Sequence, residues 1–173
     1  MTQKEMTEIF SLLLLAYPNA EMFKGGVGKL KPTIELWTAA LPDVDFQMGK
    51  QAVIRFIRAS RFPPTIAEFR ESVSGVLAEI EGRSMVAWNT LKAMITIMGR
   101  SPAEAVADEN TPEFVRQVVR YMGGPDKLIR RFPDGTQAYA YYDFLDAYKY
   151  VALKQAGNPL AAKEERKQIG GSR

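Results

Sequence analysis

The stretch Val53-Ile54-Arg55-Phe56-Ile57-Arg58-Ala59-Ser60-Arg61-Phe62-Pro63-Pro64-Thr65-Ile66-Ala67-Glu68-Phe69 holds the end of one helix, a stiff turn and the start of another. Val53, Phe56 and Ile57 recur at helical spacing, and with Phe46 they form the inner side of a helix from about 45 to 60. Phe62-Pro63-Pro64 forces an extended turn, because a residue before proline is pushed out of the α region. Thr65 and Glu68 then stand three apart as a capping box, starting a helix through Ile66, Phe69 and Val73. Phe62 reads as the anchor of the turn. If its ring is buried, replacement by Ala is expected to cost about 3 kcal/mol or more.

The same grammar extends to both sides. Thr2 and Glu5 form a capping box for a helix to about Tyr17, with Met6, Ile9, Phe10, Leu13 and Leu14 on one face and Pro18-Asn19 as the stop. After a connection over 19–28, periodicity resumes through Leu30, Ile34, Trp37 and Leu41. Pro32 is expected in the first turn of that helix, and Pro42-Asp43 ends it. Residues 76–98 are again helical in period, with Gly82 or Ser84 as a break. Ser101-Pro102-Ala103-Glu104 and Thr111-Pro112-Glu113 both read as caps with proline at the first helical position, and Gly123-Gly124 before Pro125 reads as a stop followed by a new start. A last helix is expected from about Thr136 to Ala156, with an apolar stripe of Tyr141, Phe144, Leu145, Tyr148 and Val151. No segment alternates with strand period. The expectation is an all-α fold without a sheet, a compact helical bundle of about seven or eight helices, or two small helical subdomains. The domain reading is an N-terminal bundle over 1–75, a C-terminal helical region over 76–156 and a flexible polar tail over 157–173.

Composition narrows the chemistry. In 173 residues, 46% hydrophobic and 25% charged, a core can be built. With neither Cys nor His present, thiol nucleophiles, Cys/His zinc sites, disulfides and histidine acid–base catalysis have no residues to use. The absence of Cys fits a reducing cytoplasm. The apolar run Ile9 to Tyr17 is far too short to cross a bilayer, so no membrane role is expected. Glu79 and Glu81 are two apart and cannot share a helix face. Asp143 and Asp146 can, but acids on a helix are usually solvated. The chain therefore reads as a non-enzyme without a cofactor.

Lys24-Gly25-Gly26-Val27-Gly28-Lys29-Leu30 looks like a deviant phosphate-binding loop, but Leu30 stands where a magnesium-binding Ser or Thr belongs and no strand precedes it. It reads as a Gly-rich connection that does not bind ATP. Two basic sets are candidates for contact with nucleic acid or a partner. The first is Lys50, Arg55, Arg58 and Arg61; the second is Arg116, Arg120, Arg130 and Arg131, with Lys127 nearby. Neither carries a base-reading motif, so nucleic acid is a secondary partner. Among the aromatics of the last helix, Tyr141, Phe144 and Tyr148 fall together. Tyr139, Tyr142 and Tyr150 then point elsewhere, as candidate partner anchors.

The first 75 residues resemble the phage-encoded loaders and inhibitors of replicative helicases. The resemblance rests on the early helix ending in Tyr17-Pro18, on Trp37, and above all on Ser60-Arg61-Phe62-Pro63-Pro64-Thr65-Ile66-Ala67-Glu68. Val118 to Gly124, followed by Phe144 to Tyr148, is similar to the C-terminal part of phage replisome organisers. The resemblance implies a cytoplasmic protein of the bacterial host cell that binds a replicative helicase, loads or inhibits it, and does so through its C-terminal part. In that family the helicase-contacting segment is often poorly ordered; here the capped, periodic second half is expected to fold. Residues 84–156 are expected to carry the main partner surface, with Arg116, Arg120, Arg130 and Arg131 as its charges. The alternatives left open are an inhibitor of a host nucleic-acid enzyme, such as a defence nuclease, and a DNA-binding replication accessory protein.

Overall fold

The computed structural model describes residues 1–25 and 27–156, so the expected polar tail lies outside the described residues. The chain divides into two compact units, Met1–Ala78 and Glu79–Arg173.

The first unit packs α1 (Gln3–Ala16) against α2 (Val27–Ala40) and α3 (Phe46–Ala59), followed by the first part of α4 (Ile66–Thr96). A 3₁₀ turn, Glu21–Phe23, links α1 to α2. Its core is a row of edge-to-face rings: Phe23 meets Phe10 at 6.5 Å, Phe10 meets Trp37 at 5.2 Å, and Trp37 meets Phe69 at 5.5 Å. Met6, Ile9, Leu13, Leu41 and Val53 close around them without exposure, whereas Leu14 turns out to solvent.

The caps are built as the sequence prescribes. Glu5 N–H donates to Thr2 Oγ1 at 3.3 Å while Thr2 N–H donates to Glu5 Oε2 at 2.7 Å. Thr65 and Glu68 repeat the exchange at 3.3 and 2.8 Å, and Asp45 caps α3 by accepting from Gln47 and Met48. Arg70 adds a device the sequence did not advertise. Its guanidinium donates to the Ala40 carbonyl at 2.7 Å and to both Asp43 oxygens, tying the end of α2 to α4.

Several expectations are corrected. Pro32 lies in the second turn of α2, not the first, because the helix already starts at Val27. Gly82 and Ser84 do not break the middle helix: α4 runs unbroken from Ile66 to Thr96. A glycine costs a helix only about 1 kcal/mol, and the buried Ser84 hydroxyl satisfies itself by donating to the Glu81 carbonyl at 2.8 Å. Phe62 does not anchor its turn; it is 76% exposed. Ser60 closes that turn instead, its Oγ accepting from Phe62 N–H at 3.2 Å and donating to the Phe62 carbonyl at 2.9 Å. Tyr17 Oη donates to the Ser60 carbonyl from the end of α1, and Pro64 is the residue buried in this turn.

The second unit comprises the rest of α4 with α5 (Pro102–Ala107), α6 (Glu113–Tyr121), a 3₁₀ turn at Pro125–Leu128, strands β1 (Ile129–Arg131) and β2 (Gln137–Tyr139), and α7 (Tyr141–Ala156). The architecture is mostly α-helical, as expected, but the small antiparallel hairpin corrects the expectation of no sheet. It also shortens the last helix, which starts at Tyr141 rather than Thr136. The cause is Phe132-Pro133-Asp134-Gly135-Thr136. Gly135 takes a left-handed φ of +83°, Asp134 accepts from Thr136 N–H at 2.9 Å, and Phe132 N–H donates to the Thr136 carbonyl at 2.9 Å. Ser101 and Glu104 form the expected capping box. Thr111 does not cap α6: it is buried, and its hydroxyl donates inward to the Ala105 carbonyl at 2.7 Å, leaving Pro112 at the cap position.

Two outcomes follow. In urea denaturation, Phe62→Ala is expected to change stability by no more than about 0.5 kcal/mol, whereas Phe69→Ala, at 0% exposure, loses about 3–5 kcal/mol. The Thr2, Thr65 and Ser101 backbone N–H groups hold the carboxyls of Glu5, Glu68 and Glu104 below their ordinary 4.5. A carboxylate lowered in the folded state contributes stability above its unfolded value and loses it as pH falls through the folded one. Thermal melting is therefore expected to decline as pH drops below 4.5, and less steeply in the Glu5→Gln, Glu68→Gln, Glu104→Gln variant.

Candidate functional site

A groove of about 1220 Å³ opens in the second unit. Its walls follow from the local sequence. Val115, Val118 and Val119 bury one face of α6, which packs on α7. Gly123 and Gly124, with φ of +98° and +108°, turn the chain out of α6 and into the 3₁₀ turn. Leu128 plugs the core at 1% exposure, and β1 then runs along the groove. Tyr121 and Tyr150, from α6 and α7, stack with centroids 4.4 Å apart and planes 15° from parallel. With Phe132 they give the groove an aromatic lining, and all three rings remain roughly half-exposed. Lys127 and Arg131 stand on this surface with Asp126 and Asp146, so its charge is mixed.

The structure brings together only some of the residues singled out in the sequence. Arg130, Arg131 and Tyr150 line the groove; Arg116, Arg120, Tyr139 and Tyr142 do not. Arg130 is held in a two-pronged ion pair by Asp143, with Nε 2.9 Å from Oδ2 and a terminal nitrogen on Oδ1. Arg116 is turned to internal use. Its Nε and Nη2 donate to the Val106 and Asp108 carbonyls at 3.2 and 2.8 Å, holding the end of α5 to α6. Arg120 pairs with Glu113 at 2.7 Å. Tyr139 sits on β2 rather than on the last helix, edge-on to Trp88 at 6.2 Å with Lys92 over its ring. Tyr142 projects from the start of α7 at 78% exposure.

Sequence reasoning missed Tyr121, Phe132 and Ile129 as groove residues. The available signal was Pro133-Asp134-Gly135, a turn tripeptide with a defined mechanism, which would have placed a hairpin here. In the first unit, Lys50 lies over the Phe46 ring at 5.2 Å, Arg55 donates to the Gly75 carbonyl at 3.3 Å, and Arg58 and Arg61 are exposed. In the Gly-rich connection, Lys24 pairs with Glu21 at 2.7 Å, Leu30 is packed into the core, and Gly26 lies outside the described residues. Among the described residues, no cluster of acids is placed to hold a metal ion, and no helix is long and apolar enough to cross a membrane.

The first unit has the row Phe10, Trp37, Phe69 and the Ser60–Glu68 turn at its centre. Residues 1–70 match the family described as the N-terminal domain of the phage SPP1 gene 39 product. That product is a protein of the helicase loader/inhibitor type. The match to the loader domain ends inside α4 at Arg70, the residue that fastens α4 to the end of α2, so it takes in the caps and aromatic row described above. The groove lies wholly beyond the loader-like region. No curated protein and no solved structure matches the chain.

Because Arg116 satisfies two backbone carbonyls, Arg116→Ala is expected to lower the stability of the second unit by about 1–3 kcal/mol. The exposed Arg120–Glu113 pair contributes little, so Arg120→Ala stays within about 0.5 kcal/mol. Urea titration followed by tyrosine and tryptophan fluorescence separates the two.

Proposed function

We propose that this chain is a non-enzymatic adaptor that binds a replicative DNA helicase and loads or inhibits it. The observation that carries the reading is the match of residues 1–70 to the N-terminal domain of a phage helicase loader/inhibitor. The partner surface is assigned to the groove of the second unit. Its aromatic rings remain exposed after folding and suit anchoring contacts, for which Tyr is enriched. Charge there sets approach and register more than strength. Arg131 and Tyr150 are the groove residues assigned to the contact, joined by Tyr121 and Phe132. The exposed Arg58 and Arg61 of the first unit are left for a secondary contact with nucleic acid. The reading places the protein in the cytoplasm of a bacterial host.

The test mixes the purified chain with the replicative helicase encoded in the same genome and follows complex formation by sedimentation and calorimetry. A defined complex is expected, with DNA unwinding either raised by delivery of the helicase or suppressed. Replacing Tyr121 and Tyr150 with Ala is expected to weaken binding by at least roughly tenfold, as for an aromatic hot spot, while reversing Lys50 and Arg58 leaves it unchanged. No complex with the helicase overturns the reading. Loss of binding only on the Lys50 and Arg58 reversals moves the surface to the first unit.

A further inference from the structure

The strand beside the groove has an open edge. In the β1–β2 register, Arg130 faces Ala138, flanked by Ala140 N–H donating to the Leu128 carbonyl at 3.0 Å and Phe132 N–H to the Thr136 carbonyl at 2.9 Å. Antiparallel ladders alternate, so Leu128, Arg130 and Phe132 point their backbone groups toward β2. The N–H and C=O of Ile129 and Arg131 point the other way, and among the described residues the sheet has no third strand to receive them. Both residues line the groove, together with Phe132 and the Tyr121–Tyr150 stack.

We infer that the groove binds an extended segment of a partner protein, which adds as a strand to the outer edge of β1 and places an acidic side chain opposite Arg131. Outward donors and acceptors two residues apart are the pattern an extended backbone matches and a helix does not. The rings offer seats for apolar side chains of the segment. Charge selects the occupant. Arg130 is already neutralised by Asp143, whereas no ion pair engages Arg131 among the described residues. A second copy of this chain, adding antiparallel through its own β1, would set Arg130 and Arg131 against their equivalents, a like-charge arrangement that disfavours self-pairing. Asp126 and Asp146 also lie in the groove, so a uniformly acidic segment is disfavoured too.

The inference deepens the assignment of the partner surface to this groove, but its test requires no helicase. A library of random eight-residue peptides is displayed and selected on the full chain, and the best binder is synthesised. The expected result is a binder with an acidic residue flanked by apolar ones, and slowed hydrogen exchange at the Ile129 and Arg131 amides when it is bound. Methylating alternate backbone nitrogens of the peptide is expected to weaken binding by at least roughly fivefold in one register and not in the other. Arg131→Pro removes one outward N–H without touching the ladder and is expected to weaken binding similarly, with the Arg130 and Phe132 amides still protected. Arg131→Glu is expected to switch preference to a peptide carrying Lys in place of the acid. The inference is overturned if no peptide is enriched, if protection appears away from β1, if N-methylation is without effect in either register, or if the free protein dimerises through this edge. If the peptide results hold and no helicase complex forms, the strand site stands and the helicase assignment fails. If a helicase complex forms and survives Arg131→Pro and Tyr150→Ala, the reverse applies.

Discussion

A buried indole that must be covered on every side is the constraint around which each half of this chain is built. Trp37, 4% exposed, is met edge-on by Phe10 from α1 and Phe69 from α4. Trp88, 6% exposed, is covered by Tyr139 of β2 and by Tyr141 and Phe144 at the start of α7. Large aromatic surfaces supply much of the apolar burial in a small core, and their edge-to-face preference fixes the relative position of the elements that carry them. The dependence is sharpest in the second unit. An isolated two-stranded hairpin is marginal in water. This one is held because Tyr139 rests on Trp88 while Leu128 and Ala140, just outside its ends, are buried. Cover for the indole thus positions β1, and β1 positions the groove.

The groove in turn owes its character to what the fold has already used. The second basic set looks uniform in sequence, yet folding gives its members different roles. Arg116 serves backbone carbonyls, Arg120 and Arg130 are paired with acids, and Arg131 stands at the rim. An ion pair exposed to water contributes little stability, so the paired arginines act mainly to cancel charge. The aromatics divide in the same way: Tyr148 and Phe144 are buried, while Tyr121 and Tyr150 stack on each other and keep about half their surface for a partner.

The Ser60–Glu68 turn shows how a strong local signal can be right about the backbone and wrong about a side chain. Two prolines and a capping box specify an extended bend followed by a helix start, and that is what forms. Which ring of the bend is covered depends on what lies above it. Tyr17 reaches the Ser60 carbonyl, Pro64 takes the buried position, and Phe62 is left outside.

Sequence by itself determined the local decisions in this protein. The helix starts at Thr2, Asp45, Thr65 and Ser101, the helical class of the chain, and the apolar stripe of α1 apart from Leu14 are set by hydrogen bonds and spacings within a few residues. The resemblance of the first half to helicase loaders was legible for the same reason, since its motif is a contiguous turn and cap. Only the tertiary structure decided the rest. Helix α4 passes Gly82 and Ser84 because the residues on either side of them are buried along it, an outcome no local propensity specifies. Residues 137–139 pair as a strand because Pro133-Asp134-Gly135 turns the chain back and Trp88 needs covering. The candidate site was only partly readable because its walls are separated along the chain: Tyr121 and Tyr150 come from different helices, and the open edge of β1 exists only once β2 has taken the other side. Backbone groups left over by pairing have no signature in sequence, because which ones remain is settled by register.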